Sequence, residues 1–208
     1  MTKLDLRKQL KEYFKAGPEP HLLTLPPLLY LCVDGRGDPN RSPDFGAAMQ
    51  ALYSLAYGLK FAAKKQSSSL DFGVMSVEAF WWAEDMAAFN LQRREEWLWR
   101  AAILQPDFIT PALLEDVRAE TLKKKPEISA ALEKAFLATI EEDLCAQIMH
   151  IGPYSAEGPT VAALHAFIEA QGLRKRGKHH EIYLSDPRRS EPERMQTIIR
   201  QPVESRES

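Results

Sequence analysis

Two short stretches decide the fold: residues 77–80 read Val-Glu-Ala-Phe, and residues 180–183 read His-Glu-Ile-Tyr. Each stretch combines β-branched and aromatic residues with one glutamate, a composition that is typical of a strand. Side chains alternate between the two faces of a strand, so each glutamate shares a face with the aromatic residue two positions later. The matching pairs are Glu78 with Phe80, and Glu181 with Tyr183.

The elements around these stretches recur in the same order in each half of the chain: strand, glycine-containing loop, helix, strand, strand. In the first half we expect a strand that ends at Val33, a loop at 35–40, a helix at about 43–63, and strands at 72–82 and 97–104. In the second half we expect a strand at 144–151, a helix that ends at Gly172, and strands at 180–185 and 195–203. The order predicts an α+β fold of two repeated modules, and a pseudo-twofold axis between them would bring both glutamate faces toward one groove.

Two helix starts carry a capping residue followed by proline, at Ser42-Pro43 and Thr110-Pro111. Such a pair satisfies one free backbone N–H and presets the first helical φ angle. Apolar spacing predicts a further helix at about 128–141. The predicted organisation is an N-terminal helical extension at 1–19, a single domain at 20–203 with halves at about 20–126 and 127–203, and a disordered tail at 204–208.

The composition limits the partners and the compartment. Lys and Arg total 27 against 29 Asp and Glu, so the formal net charge of the 208 residues is -2. That balance lacks the positive field on which non-specific nucleic-acid binding depends. Residues 1–14 are charged throughout, unlike a signal peptide, and no apolar run reaches the ~20 residues of a membrane helix. We therefore expect a cytoplasmic protein that binds neither nucleic acid nor a membrane directly.

Several common kinds of site have no signature in the sequence. Cys32 and Cys145 lie far apart and form no CxxC pair, and the five histidines lack the spacing of metal ligands. We find no phosphate-binding loop, no dinucleotide fingerprint and no nucleophile elbow. The sequence therefore predicts no metal and no cofactor.

The two strand glutamates are the candidate acid–base groups. A carboxylate in an apolar strand is costly unless it is paired or hydrated, and burial suits it to proton transfer near neutral pH. The alternative is a pair of edge-strand glutamates that face water, and the repeated pattern favours the first interpretation. Four tryptophans lie between residues 81 and 99, and Trp82 shares the predicted face of Glu78. Rings beside a carboxylate suit a flat, apolar or cationic ligand.

Four longer motifs extend these observations. They are Tyr30-x-x-x-Asp34-Gly35-x-Gly37-Asp38-Pro39-Asn40, Glu78-x-x-Trp81-Trp82, Glu96-Trp97-x-Trp99 and His179-His180-Glu181-Ile182-Tyr183-Leu184-Ser185-Asp186-Pro187-Arg188-Arg189. Together they resemble stand-alone members of the GyrI-like small-molecule-binding family, over roughly 20–203. The resemblance implies an α+β fold of duplicated βαββ (SHS2-type) modules related by a pseudo-twofold axis, with added helices and a ligand cleft between the halves. The chain departs from the family at 76–80, where Ser-Val-Glu-Ala-Phe stands in place of a Pro-Leu-Glu-Gly-Leu type segment.

The resemblance also implies a function. Some family members are sensing domains fused to DNA-binding helices, and they bind cationic aromatic drugs through a strand glutamate that Glu181 matches. Stand-alone members with the Trp-Trp segment are similar to cyclopropanoid cyclopropyl hydrolases, which detoxify DNA-alkylating natural products by opening a cyclopropane with water. The implied roles are water activation by Glu181 or Glu78, polar orientation by Tyr183 and Tyr154, and stacking by Trp82 and Trp99, with Phe80 and Trp97 as further ligand contacts.

Three functions stay open at the level of sequence. The chain is a detoxifying hydrolase, a non-catalytic protein that binds or senses aromatic or cationic drugs, or an interaction module that acts on an enzyme such as a topoisomerase. Turnover separates the first two, because a binder saturates at one equivalent of ligand. Ligand-independent binding to a macromolecule would indicate the third. The sequence leaves the physiological substrate and the oligomeric state undetermined.

Overall fold

The computed structural model describes residues 3–67, 70–84 and 94–206. Its helices are α1 (Leu6–Gln9), α2 (Pro43–Gln66), α3 (Pro111–Lys124), α4 (Ser129–Glu133) and α5 (Gly158–Ala170). Its strands are β1 (His21–Leu25), β2 (Leu28–Arg36), β3 (Val77–Trp82), β4 (Leu98–Leu104), β5 (Phe136–Ile140), β6 (Asp143–Ile151), β7 (Leu173–Lys175), β8 (His179–Tyr183) and β9 (Gln196–Ser205). The chain forms two compact units, Met1–Gln9 with Leu28–Ile140, and Leu10–Pro27 with Glu141–Ser208.

Unit 1 contains an antiparallel sheet in the order β3-β4-β2-β5, with α2 packed on one face. Phe45 of α2 stacks on Trp81 at 5.6 Å between ring centroids and meets Trp99 edge-on at 5.0 Å. Gly35 is required beneath this cluster, because a Cβ atom there would lie 2.1 Å from the nearest Trp99 ring atom. The α2 side of the sheet is therefore closely packed with aromatic rings.

The proline-marked helix starts are confirmed. Helix α2 begins at Pro43 and α3 at Pro111, and the Thr110 side chain accepts a hydrogen bond from the Leu113 N–H at 3.2 Å. The predicted helix at about 128–141 is wrong in its second half, because α4 ends at Glu133 and Phe136–Ile140 is strand β5. Pairing of β5 with β2 overrides the helical spacing of the apolar residues.

Unit 2 contains an antiparallel sheet in the order β1-β6-β9-β8, with β7 also paired to β9. Helix α5 packs on one face through a fully apolar cluster. Its buried members are Ala146, Ile148, Leu164, Ile168, Ile199 and Val203. The strand order matches that of unit 1, since β8-β9-β6-β1 corresponds to β3-β4-β2-β5. The predicted α+β duplication is confirmed.

The ends of the chain differ from the predicted organisation. Within the predicted N-terminal helical extension, helix α1 covers only Leu6–Gln9. Residues 21–25 form β1, a strand of unit 2. The boundary between the two units lies after Ile140, whereas the sequence predicted a boundary between the halves near residue 126. Strand β9 continues to Ser205, and only residues 207–208 of the expected tail lie outside the described part of the chain.

The residue-level alignment of the two repeats is wrong by one position. Gly37 and Gly152 follow the first strand of each repeat with φ angles of 98° and 138°. In each unit, the residue five positions before this glycine belongs to a row of residues that pair across three adjacent strands. These rows are Glu78–Ala102–Cys32 in unit 1 and His180–Arg200–Gln147 in unit 2. Glu78 therefore corresponds to His180, and a shift of one residue reverses the sheet face.

The two glutamates consequently occupy non-equivalent faces of their units. Glu78 lies on the face of its sheet away from α2, because Trp81, three residues later, contacts that helix. Glu181 pairs with Ile199, a member of the apolar cluster under α5, and so lies on the face where α5 packs. The prediction that the two glutamates lie on equivalent faces of the two repeats is therefore wrong.

Candidate functional site

Strand β8 brings three polar side chains together on the α5 face of unit 2. His179, Glu181 and Tyr183 stand at alternate positions, so they point to the same side of the sheet. The Tyr183 hydroxyl donates to Glu181 Oε2 at 2.7 Å, and His179 Nε2 lies 3.2 Å from Glu181 Oε1. Each carboxylate oxygen therefore has its own neighbour, which fixes the orientation of the carboxylate.

An aromatic rim borders this carboxylate. Tyr154, in the 3-10 turn before α5, meets the Tyr183 ring edge-on at 5.3 Å between centroids. Tyr154 is 38% exposed, whereas the Glu181 side chain is only 14% exposed. The recessed acid lies beside a ring that solvent reaches, an arrangement that suits contact with a flat ligand.

The protonation states of the neighbours follow from burial and charge. Burial, the Glu181 carboxylate and its hydrogen bond, and the charge of Glu157 raise the pKa of Tyr183 well above its ordinary value. The Tyr183 hydroxyl therefore stays protonated and remains a donor. Burial, Lys175 and His179 lower the pKa of His165 on α5 to about 4, so that imidazole is neutral at pH 7.

The other predicted glutamate lies on β3 in unit 1. Glu78, Phe80 and Trp82 share one face, as the alternation predicts, and it is the face away from α2. Glu78 is 0% exposed, and the Phe80 ring meets Tyr30 edge-on at 5.8 Å between centroids. Ligand contact by Phe80 and Trp82 stays a prediction.

The remaining predicted aromatic residues lie on the opposite face of unit 1. Trp97 and Trp99 share a side, as predicted, but it is the α2 side, away from Glu78. Trp97 lies 5.6 Å from Trp81 between ring centroids, and Trp99 is 1% exposed beside Phe45. Packing of the helix on the sheet buries both rings on that side, and ligand contact by Trp97 and Trp99 stays a prediction.

Comparison with known proteins identifies the family. The model of the GyrI-like small molecule binding domain matches residues 18–203. The chain belongs to this family. An uncharacterized conserved protein from Listeria innocua is 41% identical to this GyrI-like chain, with a TM-score of 0.88 over 97% of this chain and 100% of that one.

Two further solved structures from Listeria innocua are described as hydrolases. One is 39% identical with a TM-score of 0.86, over 98% of this chain and 100% of that one. The other is 38% identical with a TM-score of 0.84, over 97% of this chain and 100% of that one. The EcmrR C-terminal domain shares the fold alone, at 12% identity and a TM-score of 0.55 over 90% of this chain and 98% of that one. No curated protein matches the chain.

A second polar cluster of this GyrI-like chain lies on the opposite face of β8. His180 Nδ1 lies 3.0 Å from Glu142 Oε2, and Arg200 Nη1 lies 3.4 Å from the same oxygen. Arg200 also donates to Gln147 Oε1 at 2.8 Å and to the Tyr13 carbonyl at 2.7 Å. All five residues are buried, so we assign this cluster to the stability of unit 2.

Sequence reasoning found part of the site in unit 2 and missed part of it. Glu181, Tyr183 and Tyr154 lie together, whereas His179 was considered only as a metal ligand. The i, i+2, i+4 spacing of His179, Glu181 and Tyr183 on a strand was the available signal. The described residues contain no group of three or more His, Cys, Asp and Glu side chains placed to hold a metal ion. No helix within the described ranges has both the length and the apolarity needed to cross a membrane.

Proposed function

We propose that this GyrI-like chain is a hydrolase that binds electrophilic aromatic compounds and opens their cyclopropane with water. One observation carries the proposal: a recessed Glu181 carboxylate with a neighbour at each oxygen, beside the accessible Tyr154 ring. The membership in a small-molecule-binding family and the hydrolase descriptions of two relatives at 39% and 38% identity support it.

Glu181 is the general base in this proposal. An ionised carboxylate accepts hydrogen bonds along about four lone-pair directions, and a water molecule is a donor that it can accept from. Glu78 is less suited to the role, because its side chain is fully buried and bulk water does not reach it. We therefore assign water activation to Glu181 alone.

The reaction adds one water to a cyclopropane that is conjugated to a dienone. Glu181 accepts a proton from water while the water oxygen forms a bond to the cyclopropane methylene carbon. The carbon–carbon bond to that methylene breaks, and its electron pair moves into the ring system to give a phenolate. The phenolate then gains a proton from solvent, and Glu181 releases to solvent the proton that it accepted. The product is therefore the substrate plus one water, and no oxidant or cofactor is needed.

The two tyrosines divide the remaining tasks. Tyr183 holds the carboxylate in place through its hydroxyl, which the raised pKa of Tyr183 keeps protonated. Tyr154 offers its exposed ring to the ligand, and a phenol hydroxyl is a group that can donate to the oxygen on which negative charge develops. Both roles require an aromatic substrate that lies flat against the Tyr154 ring.

Substitution of the base tests the proposal. We expect Glu181→Gln to lower kcat at least ~100-fold, the usual scale for loss of a general base, while ligand binding changes little. Glu169→Gln on the exposed surface of α5 is the matched control and should keep the wild-type rate. Product is measured by mass spectrometry after incubation with excess cyclopropane-dienone alkylator. A Glu181→Gln variant that turns over at the wild-type rate contradicts the assignment.

The same experiment separates hydrolysis from binding alone. An acidic group beside aromatic rings also suits a cationic aromatic ligand that is held without reaction. Ligand bound in a fixed ratio to wild-type protein, with no product above background, would support a drug-binding protein and overturn the hydrolase.

A further inference from the structure

We propose that His179 is a positioning residue for Glu181: its Nε2–H donates to one carboxylate oxygen and holds the carboxylate in the orientation that activates water. This inference rests on the hydrolase function proposed above. It adds a residue to the site.

The geometry requires the imidazole to be the donor. An ionised carboxylate only accepts hydrogen bonds, so the 3.2 Å contact between His179 Nε2 and Glu181 Oε1 places a proton on Nε2. The His179 and Glu181 side chains are 8% and 14% exposed, which limits competition from water. Tyr183 holds the other oxygen at 2.7 Å, so His179 completes a clamp with one donor at each oxygen.

The charges near this clamp come from several elements. Glu181 and Tyr183 face His179 from its own strand, and the raised pKa of Tyr183 keeps its hydroxyl protonated. From α5, His165 is a neutral neighbour at pH 7, since its pKa is lowered to about 4 by burial, by Lys175 and by His179. The Nζ atom of Lys175 of β7 lies 3.4 Å from His165 Nδ1, and the charge of Glu157 acts on Tyr183.

Two substitutions at one position test the role. His179→Ala removes the donor, and we expect kcat to fall roughly tenfold to a hundredfold with KM nearly unchanged, the scale of a lost hydrogen bond to a charged group. His179→Gln keeps a neutral N–H donor and should restore most of kcat. Circular dichroism verifies that both variants are folded.

Two results would overturn the inference: wild-type kcat in His179→Ala, or failure of His179→Gln to restore kcat although it is folded. Nitrogen-15 NMR of the imidazole provides a readout that is independent of turnover. The neutral form should carry its proton on Nε2, and a proton on Nδ1 contradicts the clamp even if hydrolysis is confirmed. Wild-type protein with the Nε2 proton but no turnover would instead refute the hydrolase proposal while the clamp itself stands.

Discussion

Glu142→Gln is expected to destabilise unit 2 strongly. The Glu142 carboxylate lies 3.0 Å from His180 Nδ1 and 3.4 Å from Arg200 Nη1, and Arg200 is 0% exposed. Removing the anion leaves a buried guanidinium without its countercharge, a change that costs about 3–5 kcal/mol. The free energy of unfolding of a native domain is only ~5–15 kcal/mol, so this loss is a large fraction of it.

The measurement is urea and thermal unfolding followed by far-UV circular dichroism. The four tryptophans lie between residues 81 and 99 in unit 1, so their fluorescence is not the probe of choice for unit 2. For a chain of this length each kcal/mol lowers Tm by about 2–4 °C, so we expect a decrease of about 6–20 °C. Glu141→Gln, the same change at the exposed neighbouring residue, is the control and should shift stability by less than about 0.5 kcal/mol.

The pH dependence of this difference follows from the direction of the pKa shift. Burial alone would raise the pKa of Glu142, but His180 and Arg200 outweigh burial and hold it below its ordinary value. A carboxyl whose folded pKa lies below its unfolded pKa stabilises the protein at neutral pH, and the contribution is lost as pH falls through the folded pKa. The stability gap between wild type and Glu142→Gln should therefore narrow in acid. Equal stability of Glu142→Gln and Glu141→Gln at pH 7 would refute the reasoning.

The remaining predictions concern Gly35 and Tyr183. Gly35→Ala places a Cβ atom 2.1–2.6 Å from Trp99 ring atoms and should lower the free energy of unfolding by about 1–3 kcal/mol or more, measured by urea denaturation. Gly46→Ala on α2, where the added Cβ meets nothing within 4 Å, is its control and should be neutral or stabilising. Tyr183→Phe should lower kcat about tenfold with little change in KM, because it removes the donor to Glu181 but keeps the ring. Unchanged kcat would show that the Tyr183 hydrogen bond does not support the carboxylate. The pKa of Tyr183 is raised well above its ordinary value, so Tyr183 should keep its proton up to about pH 10. Wild-type activity should therefore show no loss from Tyr183 deprotonation in that range.

The architecture could be predicted because its signals are local. Proline after Ser42 and after Thr110 marks the starts of α2 and α3, and positive φ angles at Gly37 and Gly152 end the first strand of each repeat. The element order alone then indicated the duplication. Residues 136–140 were assigned wrongly because their identity as a strand depends on pairing with β2, which no local pattern reveals.

The relation between the two glutamates could not be predicted from the motif alone. Glu-x-aromatic is too short to fix a register, and a shift of one residue reverses the face of every side chain. The correspondence depends on strand pairing, because the ladders that start at Cys32 and Gln147, five residues before Gly37 and Gly152, lead to Glu78 and His180. The role of each tryptophan is also hard to predict, because a tryptophan on a strand suits a helix-covered core and a ligand site equally well.

The spacing of the histidines does not indicate His179 as a metal ligand, and only its alternation with Glu181 and Tyr183 on one strand face points to a role. Its role depends on a distance to Glu181 that only the folded strand shows. Glu142 gave no sequence signal, since its partners His180 and Arg200 are remote along the chain.

The most direct test of the central claim is turnover of a cyclopropane-dienone alkylator in ¹⁸O-labelled water, followed by mass spectrometry. We expect many equivalents of product per protein, each heavier than the substrate by one labelled water, and background levels with Glu181→Gln. One equivalent or less of converted ligand, or product without the label, would contradict hydrolysis by this protein.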